Sequence, residues 1–71
     1  MWTINELIDI LEFIKKDNQG YDIEIHNMNF SINDDTDIVT IEYVCIDKKG
    51  CVFDKKTTFK NDWVEGRYYK I

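Results

Sequence analysis

Apolar and polar residues change their rhythm once along this chain, at Gly20, and that change divides it into a helical part and a β part. Before Gly20, Ile4, Leu7, Ile8, Leu11 and Ile14 recur at the 3.6-residue spacing of one helix face, with Ile10 widening the stripe and Glu6, Asp9, Glu12 and Lys16 away from it. The pattern predicts a helix over Met1–Gln19. Thr3 is its N-cap and Glu6, three residues on, completes a capping box. Lys15 and Lys16 close the helix as its dipole prefers, and Gly20 ends it, with Asn18 as an alternative left-handed residue. Phe13 lies nearly opposite the stripe, where it either covers a loop or is exposed to a partner.

After Gly20 the period becomes two. Tyr21–Ile32 is predicted as the first strand, but its apolar residues change parity: Ile23 and Ile25 are odd, whereas Met28, Phe30 and Ile32 are even. A regular strand cannot place both sets on one face. Either a bulge near His26 or Asn27 restores the register, or both faces are partly buried. Asn33–Asp37 (NDDTD) reads as a polar, solvated loop. Ile38–Ile46 and Cys51–Lys60 are the second and third strands, joined by Asp47-Lys48-Lys49-Gly50, which suits a type I turn followed by a left-handed glycine. With that turn, residues of equal parity face each other. Val39, Ile41, Tyr43, Cys45, Phe53, Thr57 and Phe59 then share the face that the helix covers. Glu42, Asp54, Lys56 and Thr58 lie on the other, with Val44, Ile46 and Val52 near the turn. In Asn61–Ile71, Asn61 or Asp62 caps a single turn and Arg67–Ile71 adds a short edge strand. At least one of Trp63, Tyr68 and Tyr69 seals the core against Trp2 or the helix. The resulting architecture is a single α+β domain spanning residues 1–71, one N-terminal helix packed on a three- to four-stranded antiparallel sheet in the order α-β-β-β, with a short C-terminal turn or edge strand.

Size limits what such a domain can do. A chain of 71 residues makes one small core worth a few kcal/mol of net stability, so self-association would help it. With 44% hydrophobic and 32% charged residues the composition is that of a folded domain. Fourteen acidic residues against nine basic ones leave a net charge of −5, which repels phosphate backbones and favours either simple solubility or a basic partner. No apolar run approaches the ~18 residues of a membrane span. Two cysteines without a leader pattern point to a reducing cytoplasm.

Candidate chemistry is sparse. His26 is the only histidine, and a Cys–His pair with Cys45 or Cys51 would need contact that nothing in the sequence imposes. The two cysteines do not form a CxxC, and with one histidine they supply too few ligands for structural zinc. They read as free, mostly buried thiols, although a strained cross-strand disulfide would fit the hairpin. The acids of NDDTD lack the glycine and terminal glutamate of an EF-hand loop, and Asp34 and Asp35 could do acid–base work only in a cleft. Lys48, Lys49, Lys55, Lys56 and Lys60 make one end of the hairpin basic, as lysines that protect strand edges do. No catalytic, cofactor or metal role is therefore expected. The remaining signal is aromatic: two Trp, four Tyr and four Phe, with Trp63, Tyr68 and Tyr69 divided between core and interface roles.

Ile4-Asn5-Glu6-Leu7-Ile8 and Phe59-Lys60-Asn61-Asp62-Trp63, together with the element order, resemble small acidic phage and mobile-element proteins, and among these the anti-CRISPR proteins that inhibit Cas9. Those inhibitors also open with an Asn/Ile/Leu-rich helix followed by a three-stranded antiparallel sheet; their long C-terminal helices and dense acidic run have no counterpart here. The resemblance implies a non-enzymatic inhibitor acting on a CRISPR effector or another host nucleic-acid enzyme. Carboxylates would take the place of phosphates in a basic channel, and exposed aromatics would anchor the contact. The candidate acids are Asp34, Asp35 and Asp37 in the loop and Glu42 and Asp54 on the open sheet face, with Trp63, Tyr68 and Tyr69 as anchors. A different class of function, a small structural or assembly subunit that self-associates through its sheet as a homodimer, is the alternative.

Overall fold

A computed structural model describes all 71 residues. One helix, α1 (Ile4–Asp17), precedes four strands, β1 (Asp22–Asn33), β2 (Thr36–Ile46), β3 (Val52–Asp62) and β4 (Arg67–Lys70). The strands form one antiparallel sheet in the order β1-β2-β3-β4. This is the expected α+β arrangement, with the C-terminal segment supplying the fourth strand.

The capping box forms as predicted. The Glu6 amide donates to Thr3 Oγ1 at 3.1 Å and the Thr3 amide to Glu6 Oε1 at 2.8 Å, satisfying two of the free donors at the helix start. The helix is shorter than 1–19 because Met1 and Trp2 precede the Thr3 cap and Asn18, at φ −126°, is the C-cap. Gly20, at φ +89°, takes the left-handed position, where an L side chain would be strained. Asn18 contributes through its side chain instead, whose amide donates to the Ile14 carbonyl at 2.8 Å.

The helix docks along a different line from the expected one. Ile10 and Ile14 are buried and Leu7 and Leu11 pack beside them, but Ile4 and Ile8 remain 76% and 47% exposed. Phe13, on the opposite flank, stays 42% exposed but meets the Phe59 ring edge-on at 5.7 Å. Seven apolar residues wrap more of the helix than one sheet can cover, so contact with Phe59 on one flank leaves Ile4 and Ile8 out on the other.

In β1 the ladder runs Ile25↔Tyr43 and then Asn27↔Glu42, leaving His26 as a bulge. The bulge corrects the parity, so that Ile23, Ile25, Met28, Phe30 and Ile32 all lie on the helix side opposite Cys45, Tyr43, Ile41, Val39 and Asp37. The loop predicted over residues 33–37 shrinks to Asp34-Asp35. Asn33 already pairs with Thr36, and Asp34 turns the chain at φ +50°.

The β2–β3 register pairs equal parity as anticipated, with Val39↔Phe59, Ile41↔Thr57 and Cys45↔Phe53. Asp47 organises the turn: its Oδ1 accepts from the amides of Lys49 and Cys51, each at 2.9 Å, and its carbonyl from Gly50 at 3.0 Å. Cys45 is buried, but Cys51 stands exposed in the turn, and both thiols are free. Phe53 also departs from expectation. It lies on the helix side yet is 46% exposed, resting edge-on against Tyr21 at 6.0 Å. A third turn is built on Asp62, whose Oδ1 accepts from the Val64 and Glu65 amides at 3.1 Å and whose carbonyl accepts from Gly66 at 2.8 Å.

The core is Ile10, Ile14, Val39, Ile41, Tyr43, Cys45 and Phe59. Each large apolar side chain among them is worth about 1.5–3 kcal/mol of burial, and Trp2, Leu7, Leu11, Ile23, Met28 and Tyr68 pack against the cluster and add to it. A buried polar chain closes one end: Tyr43 Oη lies 3.0 Å from Thr57 Oγ1 and 3.4 Å from Asn18 Nδ2.

Candidate functional site

The five candidate acids do not form one surface. Asp34 and Asp35 occupy the β1–β2 turn at one end of a molecule 44 Å long. Asp37, expected in the same solvated loop, points inward from β2. It is 3% exposed, and its Oδ2 lies 3.5 Å from the Met1 amine. Odd parity on β2 puts it on the helix side, so it cannot meet a partner. Glu42 and Asp54 do lie on the uncovered sheet face. There Glu42 sits opposite Lys56, which balances its charge, and Asp54 opposite Val44. At ~3.3 Å per residue, Glu42 is about 20 Å along β2 from the Asp34-Asp35 turn.

The aromatics separate as well. Tyr68 faces the helix, its ring 5.8 Å from Trp2 at 66° and its hydroxyl donating to Asp9 Oδ2. That bond, and to a lesser degree burial, raises the Tyr68 pKa above its ordinary value, because the carboxylate favours the protonated phenol. Tyr68 thus seals the core, as one of the three aromatics was expected to. Tyr69 is on the opposite sheet face, with the Arg67 guanidinium 4.7 Å from its ring centre. Arg67 also donates to Glu65, and this pair pushes the arginine pKa further up.

Trp63 sits elsewhere. Its amide donates to the Asp35 carbonyl at 3.0 Å, which joins the β3–β4 turn to the β1–β2 turn. Trp63 is 42% exposed and its neighbour Val64 76%. One end of the molecule therefore gathers Asp34, Asp35, Trp63, Val64, Asp62 and Glu65. Of its carboxylates, Asp62 is engaged by the turn amides and Glu65 by Arg67, which leaves Asp34 and Asp35 free to act outward. Sequence reasoning missed Val64, Asp62 and Glu65. Their signal was the turn-forming string Asp62-Trp63-Val64-Glu65-Gly66, in which acids flank an apolar pair. Toward the other end lie Lys15 and Lys16 in the last helical turn and Lys48 and Lys49 in the β2–β3 turn.

A shallow depression of about 530 Å³ lies on the other half of the sheet, lined by His26, Glu42, Asp54, Lys55 and Lys56, with Val44 buried to 6% exposure at its floor. His26 is bulged outward and stands 4.0 Å from Glu24. No thiol lines this depression: Cys45 is buried on the helix side and Cys51 is in the turn. Glu42 and Lys56 oppose each other across the strands, as on a solvated sheet face, whereas Asp54 faces Val44 and the Lys55 amine reaches Asn18. Nowhere do three His, Cys, Asp or Glu side chains converge as metal ligands would, and no helix is long and apolar enough to cross a membrane.

The end bearing Asp34, Asp35 and Trp63 is thus the one place where candidate residues of both kinds, acidic and aromatic, meet. No protein-family model, characterised protein or solved structure matches this chain, so the reading of that end rests on its own geometry.

Proposed function

We propose that this chain is a non-enzymatic binding protein of the anti-CRISPR kind, which blocks a host nucleic-acid enzyme by seating its acidic, Trp63-bearing end in a basic groove. The observation that carries the reading is the Trp63–Asp35 backbone bond, which sets an exposed indole beside two uncommitted carboxylates. Tryptophan is among the residues that concentrate binding energy at interfaces, because it buries a large area while few rotors are frozen. Carboxylates flanking it steer the encounter with a basic groove and occupy sites that phosphates would fill. The turn is held by Asp62 and by the Asp35 carbonyl, so the anchor is ordered before any partner arrives.

The test is binding to a Cas9-type effector loaded with its guide RNA, and inhibition of its DNA cleavage, at low and high salt. Affinity should fall as salt rises. Trp63→Ala should cost roughly 2 kcal/mol of binding, and the Asp34→Lys/Asp35→Lys double variant should abolish inhibition, whereas Glu42→Lys and Asp54→Lys leave it unchanged. Salt-independent binding, or indifference to both Trp63 and the Asp34–Asp35 pair, would sink the proposal.

A further inference from the structure

The two edges of the sheet are guarded very differently. β4 is four residues long and carries Arg67 and Lys70. β1 is twelve residues long, and its outer half, Asn27–Asn33 (NMNFSIN), has no charge and no proline. Edge strands of monomeric proteins are ordinarily protected by shortness, charge, proline or a covering element. In this half of β1, Met28, Phe30 and Ile32 face the helix side, yet Phe30 and Ile32 are 52% and 67% exposed.

The helix does not reach over that strip. Leu11 and Lys15 border the same cleft as Ile23 and Ile25, so the helix line Ile4, Ile8, Leu11, Lys15 looks toward β1. Ile4 and Ile8 therefore add exposed apolar surface beside Phe30 and Ile32. The whole chain exposes 5153 Å², whereas a compact monomer of 8.5 kDa exposes about 4,700 Å².

We propose that a second copy of this chain covers the strip: two β1 strands pair antiparallel about a twofold axis through Phe30, joining two four-stranded sheets into one, with both helices on the same side. The register follows from the sequence. About Phe30 the segment is self-complementary, so that Asn27 opposes Asn33, Met28 opposes Ile32 and Asn29 opposes Ser31 of the other copy. Each apolar residue meets an apolar one and each polar residue a polar one, as an isologous interface requires. A shift of one residue sets apolar against polar and puts the helices on opposite sides. A shift of two runs the pairing into the His26 bulge or the Asp34-Asp35 turn. The strand edge, Phe30, Ile32, Ile4 and Ile8 together offer on the order of the ~800 Å² per partner found in standard stable interfaces.

Light scattering after size exclusion should give a dimer that persists in high salt. Phe30→Lys, which sets two like charges opposite each other on a half-exposed site, should weaken it at least ~100-fold while the circular dichroism spectrum is kept. In a Cys51→Ser background, Phe30→Cys chains should cross-link on mild oxidation. Met28→Cys chains should cross-link only when mixed with Ile32→Cys chains. A chain that is monomeric at every concentration, a dimer that survives Phe30→Lys, or Met28→Cys chains that link to one another as fast as Phe30→Cys chains do would each overturn the proposal.

Discussion

Lys55 Nζ donates to Asn18 Oδ1 at 2.7 Å, fastening the C-terminal end of the helix to the third strand. The Asn18 amide meanwhile holds the Ile14 carbonyl and reaches the buried Tyr43 hydroxyl. One side chain thus serves as helix cap, core polar partner and inter-element tie. Asn18→Ala leaves the carbonyl and the lysine without a partner and should cost about 1–3 kcal/mol. Lys55→Met keeps the aliphatic stem and should cost about 1 kcal/mol or less. Urea unfolding of the two variants measures the difference.

Glu6 does more than complete the capping box. The same Oε1 that accepts from Thr3 also accepts from Asn61 Nδ2 at 3.3 Å, linking the helix start to the end of β3. Thr3→Ala should cost about 1 kcal/mol. Glu6→Ala should cost more, and the double variant should cost less than the two single losses combined, since each single change already breaks the reciprocal pair. A thermodynamic double-mutant cycle reads this directly.

Alkaline titration should single out Tyr68. Its phenol is stabilised in the protonated form by Asp9, so its folded-state pKa lies above that of the unfolded chain. The unfolded chain therefore loses the proton first as pH rises. The contribution to stability is full below the ordinary tyrosine value of about 10 and is lost as pH rises through the raised folded value. Site-specific ring-carbon NMR should show Tyr68 ionising later in the wild type than in Asp9→Asn.

Core and rim of the helix-side face should respond differently to truncation. Ile41→Ala removes a fully buried side chain from the middle of the sheet and should cost about 2–5 kcal/mol. Phe53→Ala, on the same face but half exposed, should cost well under 2 kcal/mol, its loss confined to the edge contact with Tyr21. Thermal unfolding separates the two outcomes.

These contrasts mark what the sequence could express. Local signals survived intact: Thr3 and Glu6 capped the helix, the parity change pointed to a bulge near His26 or Asn27 and the structure has it at His26, and Asp47–Gly50 set the β2–β3 register. What was lost depended on reach. A helix of 14 residues spans about 21 Å, whereas a strand of 11 spans about 36 Å. Phe53 therefore carries the parity of the core and still lies beyond the cover. Asp37 shares that parity at the other end, which argued for burial against the pull of its charge. The side of the helix that docks was not legible either, since Ile4, Ile8 and Phe13 all qualify by hydropathy and only the Phe59 contact decides among them. The meeting of Trp63 with Asp35 joins two turns far apart in the chain, yet it continues the β2–β3 register by one pair beyond Thr36↔Asp62, so the Asp47–Gly50 turn that sets the register also sets this contact.

The β1-β2-β3-β4 order has a kinetic consequence. Every strand pairs only with its neighbour in sequence, through turns of a few residues, so the sheet can close by successive short loops without a long search. The chain contains no proline, so refolding has no prolyl isomerisation step to wait for. Such a chain can form its sheet as rapidly as its hairpins zip together, which shortens the time an unguarded strand edge spends exposed in a partly folded state.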